Sequence, residues 1–183
     1  MKPFDHPQGM IVGVDLHRLV HHGAIKGIET SQIGNCAIDV KLGSWVKMEK
    51  KPLTLAIEDE EVVLVTDQHS DHLVKVEPLT IKHGARVWKI PPKTFALTVT
   101  SETFCLPPNV SATFSLRSVC ARNGLDQVMS VNLWAGFKGS LVLELYNLLT
   151  YTPLYLKEFD CIGQVEFKCH RETVPYDGKY QHQ

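Results

Sequence analysis

The feature that most constrains the fold of this chain is a series of short segments with the pattern of β-strands, separated by turn formers. From residue 37 onward, apolar and polar residues alternate, or β-branched and aromatic residues cluster, over a few residues at a time. Pairs such as Pro91-Pro92 and Asn123-Gly124 punctuate them. The predicted strands are residues 37–43, 61–65, 74–76, 86–90, 94–100, 112–116, 139–146, 151–156 and 162–167. This spacing predicts an all-β sandwich or barrel.

One helical pattern precedes the strands. Apolar residues recur at helical spacing over residues 14–25, with Asp15 as a candidate N-cap and Gly27 as the residue expected to end the helix. His17, His21 and His22 lie on or near this helix. Three histidines could indicate a metal site, but we favour a solvated helix face. The predicted fold class is therefore all-β with a minor helix.

Size and charge narrow the class of protein. A chain of 183 residues fits one domain. A formal net charge of −1 gives no bulk attraction to nucleic acid or to a membrane. The five cysteines form no C-x-x-C pair, which favours free thiols in a reducing compartment. No apolar run is long enough for a membrane span or a signal peptide. We expect cytoplasmic residence, or the host cytoplasm for a viral protein, with no nucleic-acid or membrane partner.

Several common site motifs are missing from the sequence. It contains no P-loop, no Rossmann G-x-G-x-x-G and no G-x-S-x-G elbow. Residues 170–172 read H-x-E, the first half of the zinc deaminase signature, but the P-C-x-x-C half is absent. A polar loop at residues 67–72 holds two aspartates and two histidines, with a spacing that matches no closed metal site. We predict no zinc and a solvated loop.

Residues 116–125 combine basic groups with a turn. Arg117, Ser118 and Arg122 follow a predicted strand and precede Asn123-Gly124. Guanidinium groups and a hydroxyl beside freed backbone N–H groups suit a phosphate. The pattern alone favours an ordinary basic surface turn over a phosphate site.

The predicted strand 139–146 carries one carboxylate among apolar residues. Strand alternation places Val142, Glu144 and Tyr146 on one face. If that face is solvated, Glu144 is an ordinary surface residue. If it lines a cleft, burial would tune the pKa of Glu144 for proton transfer. The sequence pattern leaves both interpretations open.

Together these segments resemble the dCTP deaminase family. Residues 117–125 resemble its motif R-S-S-x-A-R-x-G-L, and residues 136–147 resemble its catalytic strand, with Glu144 at the glutamate position. The ending Gly-Lys-Tyr-Gln-His-Gln at residues 178–183 resembles the family's tail. Residues 37–43 and 162–164 resemble an early and a late strand, the latter shared with dUTPases. The matches occur in order from about residue 36 to the end.

The resemblance implies a fold and an assembly. The expected fold is a distorted β-barrel of the dUTPase-like superfamily, as a homotrimer with active sites shared between subunits. Residues 1–183 would form a single domain, with residues 171–183 as a tail that closes over the nucleotide. The implied reaction is zinc-independent hydrolysis of dCTP to dUTP and ammonia, with Mg²⁺ bound through the nucleotide phosphates.

The resemblance also implies roles for individual residues. Glu144 would be the general acid and base, and Arg122 would orient it. Ser118 and Arg117 would contact phosphates, and the backbone of Ser130 or Val131 would present a carbonyl to the attacking water. The remaining substrate-binding residues, all in the tail, would be Tyr176, Lys179, Tyr180 and Gln183.

Two departures from the family pattern concern substrate recognition. Trp134 lies nearest the place of an aspartate that the family and the dUTPases share, and Val119 replaces the motif's second serine. The missing aspartate argues against dUTP hydrolysis and indicates altered sugar recognition, so that dCMP or a modified cytosine nucleotide becomes a candidate substrate. The alternatives are a non-catalytic nucleotide-binding or regulatory homologue and, with less support, a dUTPase.

Overall fold

The computed structural model describes residues 1–49, 72–129, 131–178 and 181. In these ranges the chain is mostly β-structure with two short helices, α1 (Val14–His21) and α2 (Ser118–Arg122). Short 3₁₀ turns occur at Thr30–Gln32 and Lys82–Gly84. The strands are β1 (Gly9–Ile11), β2 (Ile25–Lys26), β3 (Ile38–Glu49), β4 (Leu73–Lys75), β5 (Leu79–Thr80), β6 (Arg86–Ile90), β7 (Phe95–Cys105), β8 (Val110–Leu116), β9 (Leu125–Gln127), β10 (Val131–Leu133), β11 (Lys138–Asn147), β12 (Leu154–Lys157) and β13 (Cys161–Cys169).

Most of the strands belong to one curled sheet. Its order is β10-β8-β13-β3-β7-β11-β9, with β1, β2 and β4 added to β13, β7 and β3. A smaller sheet has the order β12-β6-β5. The pairs are antiparallel throughout the described residues. The predicted all-β class with a minor helix is confirmed, and the sheet expected as a distorted β-barrel is a curled half-barrel; the homotrimer stays a prediction.

Strand β3 serves both halves of the large sheet. Its first part pairs with β13, where Lys41 lies opposite Cys161, and its second part pairs with β7, where Val46 lies opposite Thr98. Between the pairs Leu42–Thr100 and Val46–Thr98, β3 advances four residues while β7 advances two. The two extra residues form a bulge, which bends the strand from one half into the other.

The core fills the space enclosed by the curled sheet. Its largest fully buried side chains include four aromatics from four different strands, Trp88, Phe104, Phe114 and Phe167. All five cysteines are free thiols, as expected. None of the helices in the described ranges is long and apolar enough to span a membrane.

The first helix is shorter than its sequence pattern predicts. It ends at His21, because Gly23 adopts φ 86° and the N–H of Ala24 donates to the carbonyl of Leu19 at 3.3 Å. That left-handed position favours glycine, so Gly23 ends the helix, and Gly27 does not. The predicted cap is also wrong: Gly13 is the N-cap, and Asp15 accepts from Arg18 at 2.5 Å within the first turn.

Other predictions differ in detail. The segment 118–122, for which no helix was predicted, forms α2 immediately before the turn at Asn123-Gly124. The short strands β1, β2, β5, β9 and β10 were not predicted, since two or three residues carry too little alternation to detect. The predicted strand 61–65 and the polar residues 67–71 lie outside the described residues. Among those that are described, no three His, Cys, Asp or Glu side chains form a group that could hold a metal ion.

Candidate active site

A cavity of about 1160 Å³ lies against the exposed face of β3, β7 and β11. Typical small-molecule sites span about 300–1,000 Å³, so this cavity can admit a nucleotide-sized ligand. Its floor comes from the three long strands and its rim from β10 and the turn before β11. Among the lining residues that the structure describes, Lys47 and Glu144 carry charge and five are aromatic: Trp45, Trp134, Phe137, Phe159 and Tyr176.

The register of the strands sets the order of side chains on the cavity floor. Lys47 of β3 lies opposite Leu97 of β7, and Leu97 lies opposite Glu144 of β11. Directly opposed residues of antiparallel strands project to the same face. The floor therefore carries a row with an ammonium at one side, an apolar side chain in the middle and a carboxylate at the other side.

Glu144 is half-buried in this floor, and burial raises the pKa of its carboxyl above the ordinary value. Its backbone is fixed as well, because its carbonyl accepts the N–H of Val128 at 2.9 Å. A carboxylate removed from water binds a proton more readily than one in solution. This is the property of a group that accepts and returns protons near neutral pH.

The bulge in β3 brings two side chains to the cavity that sequence reasoning missed. The hydroxyl of Thr98 donates to the carbonyl of Trp45 at 2.7 Å and fixes the bulged backbone. A Cβ on Gly43 would lie 2.7 Å from Cγ1 of Val99, so the close approach of β3 and β7 requires glycine there. Trp45 and Lys47 then follow on the floor, with the Lys47 ammonium 5.9 Å from the centre of the Trp45 ring.

Phe159 was also missed and enters the cavity from the turn before β13. It has φ 63°, and its N–H donates to the carbonyl of Leu42 at 3.0 Å, beside the bulge. The predicted strand 37–43 stopped at the bulge and therefore left out Trp45 and Lys47. Continued alternation through residue 49 would have placed Trp45 and Lys47 on one face.

The tail packs against the rim of the cavity. The N–H of Tyr176 donates to the carbonyl of Ala135 at 2.7 Å, and the Tyr176 ring lies 6.4 Å from that of Phe137. Gln181 accepts from the Lys138 N–H at 2.6 Å and donates to the carbonyl of Gly136 at 3.2 Å. The described part of the tail is thus fixed to the turn between β10 and β11.

The basic segment lies elsewhere on the surface. Arg117, Ser118 and Arg122 are exposed at and along α2, and none of them lines the cavity within one chain. The Arg117 guanidinium lies 3.8 Å from the carboxylate of Asp39. The hydrogen bond and electrostatic interaction with Cys161, and then the charge of Asp39, raise the pKa of Arg117.

The predicted site residues therefore fall into three groups. Glu144, Val131 and Tyr176 line one cavity. Arg117, Ser118 and Arg122 lie together on α2, outside it. The remaining four, Ser130, Lys179, Tyr180 and Gln183, lie outside the described residues. Trp134, at the position where an aspartate was expected, lies on the rim with 65% of its surface exposed.

The comparisons with known proteins agree on one family. A family model described as dCTP deaminase-like matches residues 10–170. A dUMP-forming dCTP deaminase of Sulfurihydrogenibium sp. (strain YO3AOP1) is 31% identical over 162 residues, which cover 87% of this chain and 83% of that protein. A dCTP deaminase of Alteromonas mediterranea is 27% identical over 179 residues, which cover 92% and 89%.

A solved structure shares the fold. The 2′-deoxycytidine 5′-triphosphate deaminase of Agrobacterium tumefaciens superposes with a TM-score of 0.66 at 16% identity. The match covers 90% of this chain and 49% of that one, so this chain spans about half the length of that deaminase. Since the family model matches most of the sequence and relatives align over most of their length, this chain belongs to the dCTP deaminase-like family.

Proposed function

We propose that this protein catalyses zinc-independent hydrolytic deamination of a cytosine deoxynucleotide, dCTP to dUTP and ammonia. The observation that carries the proposal is Glu144, a carboxylate whose burial in the cavity floor raises its pKa. Such a group can take a proton from water near neutral pH without a metal. The family and the names of the relatives support cytosine deoxynucleotides as the substrate class.

The reaction follows from the chemistry of that carboxylate. Glu144 accepts a proton from a water molecule while the oxygen of that water bonds to C4 of cytosine. Glu144 then delivers the proton to N3. The second proton of the added water moves to the exocyclic amino group as the C4–N4 bond breaks. Ammonia leaves, and the C4 oxygen becomes the carbonyl of uracil. A positioned base of this kind contributes about 10²–10⁴-fold to the rate.

The other groups complete the site in an assembly of three chains. Arg122 of a neighbouring copy orients Glu144, and Arg117 and Ser118 of that copy contact the phosphates. Support comes from their exposed position on α2, outside the cavity of their own chain. The carbonyl of Ser130 or Val131 holds the attacking water. The tail residues Tyr176, Lys179, Tyr180 and Gln183 close over the nucleotide and exclude solvent.

In this proposal Mg²⁺ enters the cavity bound to the phosphates of the substrate. In its described part the cavity offers a single carboxylate, that of Glu144. Mg²⁺ binds oxygen ligands and is commonly held through substrate phosphates with few protein groups. That donor set fits an ion carried in on the nucleotide.

A product assay tests the proposal. The protein is incubated with dCTP, dCDP or dCMP and Mg²⁺, with and without a zinc chelator, and ammonia and uracil nucleotides are quantified. We expect dUTP from dCTP and no effect of the chelator. Release of dUMP and pyrophosphate would instead make the protein a bifunctional, dUMP-forming enzyme. No product from any of the three nucleotides would refute the proposal.

The variant Glu144→Gln tests the assigned base. It preserves the shape of the side chain but removes the proton acceptor, so turnover falls by at least about 10²-fold. Nucleotide binding, measured by calorimetry, should persist. Full activity of the variant would contradict the role of Glu144.

A second candidate function is that of a nucleotide-binding regulator without catalysis. Trp134, exposed on the rim where the family pattern has an aspartate, favours it. This candidate predicts binding of a deoxynucleotide to the wild-type protein with no ammonia released. Hydrolysis of dUTP to dUMP and pyrophosphate, without action on dCTP, would indicate a dUTPase.

A further inference from the structure

Two histidines of the first helix line another, smaller cavity. This cavity of about 460 Å³ lies between α1 and the N-terminal residues that pack against it. His17 and His21 both line it and are exposed, as expected of a solvated helix face. They are four residues apart in α1, and this spacing brings two side chains to one face with their Cβ atoms about 5–6 Å apart.

The third histidine of this region has different surroundings. Nε2 of His22 lies 3.2 Å from the carbonyl oxygen of Lys2, and the His22 ring meets the Phe4 ring edge-on at 5.6 Å. Among the residues that the structure describes, the imidazoles of His17 and His21 have no such hydrogen-bond or ring partner. The ring nitrogens of this pair are therefore available to a ligand.

Two imidazoles one helical turn apart match a divalent transition-metal ion. In the H-E-x-x-H helices of zinc enzymes, histidines at the same spacing hold one ion from one helix face. Zn²⁺ binds imidazole nitrogens at about 2.0–2.1 Å, so two rings that begin this close together can converge on it. Mg²⁺ and Ca²⁺ prefer oxygen ligands. The pair thus favours an ion such as Zn²⁺ over the alkaline-earth ions.

The charges around the pair favour a cation. His21 is the last residue of α1, where the carbonyl end of a helix carries partial negative charge. Of the described residues that line this cavity, Asp5 and Arg18 are charged. The Arg18 guanidinium lies 2.5 Å from the carboxylate of Asp15, which offsets its positive charge. The carboxylate of Asp5 is then the uncompensated charge of the lining.

We propose that His17 and His21 form a binding site for a divalent transition-metal ion, separate from the active site. No third His, Cys, Asp or Glu side chain in the described ranges joins the pair, so water completes the coordination and the ion exchanges readily. The bound ion links the first and last turns of α1. Among the described residues the two cavities have no lining residue in common, so this site is independent of the proposed function.

Titration calorimetry with Zn²⁺, on the untagged full-length protein without nucleotide, tests the site. The variants are His17→Gln, His21→Gln and the two changes together, because glutamine favours helix and removes the imidazole. Two controls keep the pair intact. His22→Gln removes the neighbouring histidine, and His72→Gln removes one that does not line this cavity.

The site predicts that the double variant binds one Zn²⁺ fewer per chain than the wild type. Changes to residues that only support a metal ligand weaken metal affinity by about 10–100-fold, so losing one ligand of two weakens it by at least about tenfold. Both controls bind Zn²⁺ as the wild type does, and Mg²⁺ does not compete. Zn²⁺ also raises the midpoint of thermal unfolding more in the wild type than in the double variant.

Two results would overturn the site. Equal numbers of bound Zn²⁺ in the wild type and the double variant would show that the pair holds no ion. An equal loss in His22→Gln or His72→Gln would show that Zn²⁺ binds surface histidines without regard to the pair. Since both side chains of the pair are exposed, the metal-free variants unfold at the wild-type midpoint, which separates lost binding from lost folding.

Discussion

Glu144 combines a catalytic advantage with a cost in stability. Burial raises the pKa of its carboxyl in the folded protein above the unfolded value of about 4.5. A group whose pKa is higher in the folded state favours folding when protonated. That contribution is present below the unfolded pKa and is lost as the pH rises through the folded pKa. At neutral pH the ionised side chain therefore destabilises the fold relative to an uncharged side chain of the same shape.

The Glu144→Gln protein should accordingly be more stable than the wild type near neutral pH. We expect a higher midpoint of thermal unfolding for the variant, with a difference that shrinks toward zero as the pH falls below about 4.5. Scanning calorimetry of both proteins, from neutral pH to below about 4.5, measures this difference in midpoint. The control is Glu166→Gln, an exposed position on β13. A variant less stable than the wild type at pH 7 would contradict a desolvated Glu144.

At the scale of single residues, the sequence identified the carboxylate of Glu144 but not the residues that surround it. Alternation in 139–146 correctly grouped Val142 with Glu144, yet it cannot say whether that face is covered. The covering groups come from the β3 bulge, the turn at Phe159 and the tail, which are far from Glu144 in the sequence. Lys47 and Trp45 were not predicted because the predicted strand ended at Gly43, where the bulge begins, although the alternation continues beyond it.

Among the elements, β13 shows how closely neighbouring strands of the large sheet pack. A Cβ on Gly163 would lie 2.1 Å from Cε2 of Phe114 and 2.7 Å from the carbonyl oxygen of Ser115. Phe114 is 2% exposed and has no room to move away. Gly163, the glycine of the family-like segment 162–164, is therefore required by the packing of β13 against β8.

Gly163→Ala should destabilise the protein without altering the cavity directly. Overpacking a dense core costs about 1–3 kcal/mol, and we expect a loss in this range. Urea unfolding followed by tryptophan fluorescence measures it, with the exposed neighbour change Gln164→Ala as the control. An unchanged unfolding midpoint would show that Phe114 can repack.

Asn147 joins the end of β11 to the smaller sheet. It is 0% exposed, and its amide nitrogen lies within 3.0–3.1 Å of the carbonyls of Ile90, Pro91 and Thr152. Its side-chain oxygen accepts the N–H of Leu149 at 3.0 Å. This one side chain therefore fixes β6 and the loop before β12 to the strand that carries Glu144.

Asn147→Asp should be strongly destabilising at neutral pH. The change replaces the donor by a carboxylate oxygen that faces carbonyl oxygens, and a buried polar group without its partner costs about 1–3 kcal/mol, more when charged. Denaturant unfolding measures the loss, and Asn35→Asp at an exposed position is the control. Equal midpoints for the two variants would contradict the joining role of Asn147.

At the scale of the whole molecule, the surface around α2 and the cavity rim is unusually apolar. Large side chains with more than half of their surface exposed occur there at Val119, Val128, Met129 and Trp134. Apolar surface of this kind is typical of sites of protein association. It adjoins the two groups of site residues that one chain keeps apart, which supports sites completed between copies.

Mixing two inactive variants tests shared sites. If Glu144 and Arg122 of one site come from different chains, co-refolding Glu144→Gln with Arg122→Ala regenerates intact sites, about a quarter of the total for random assembly in equal amounts. Deaminase activity of the mixture measures this, with each variant alone as the control and sedimentation analysis reporting a trimer. Activity no higher than that of either parent would show that the two residues do not cooperate across chains.

The curled sheet was predictable from the frequency of strands and turns, whereas its closure was not. Closure depends on a single strand, β3, that pairs with β13 and β7 on either side of a bulge. Neither half of the sheet can separate without breaking pairs of that strand. The backbone amides of β3 should consequently exchange with deuterium through one shared opening event, and the cavity floor stays rigid while adaptation to a ligand falls to the rim and the tail.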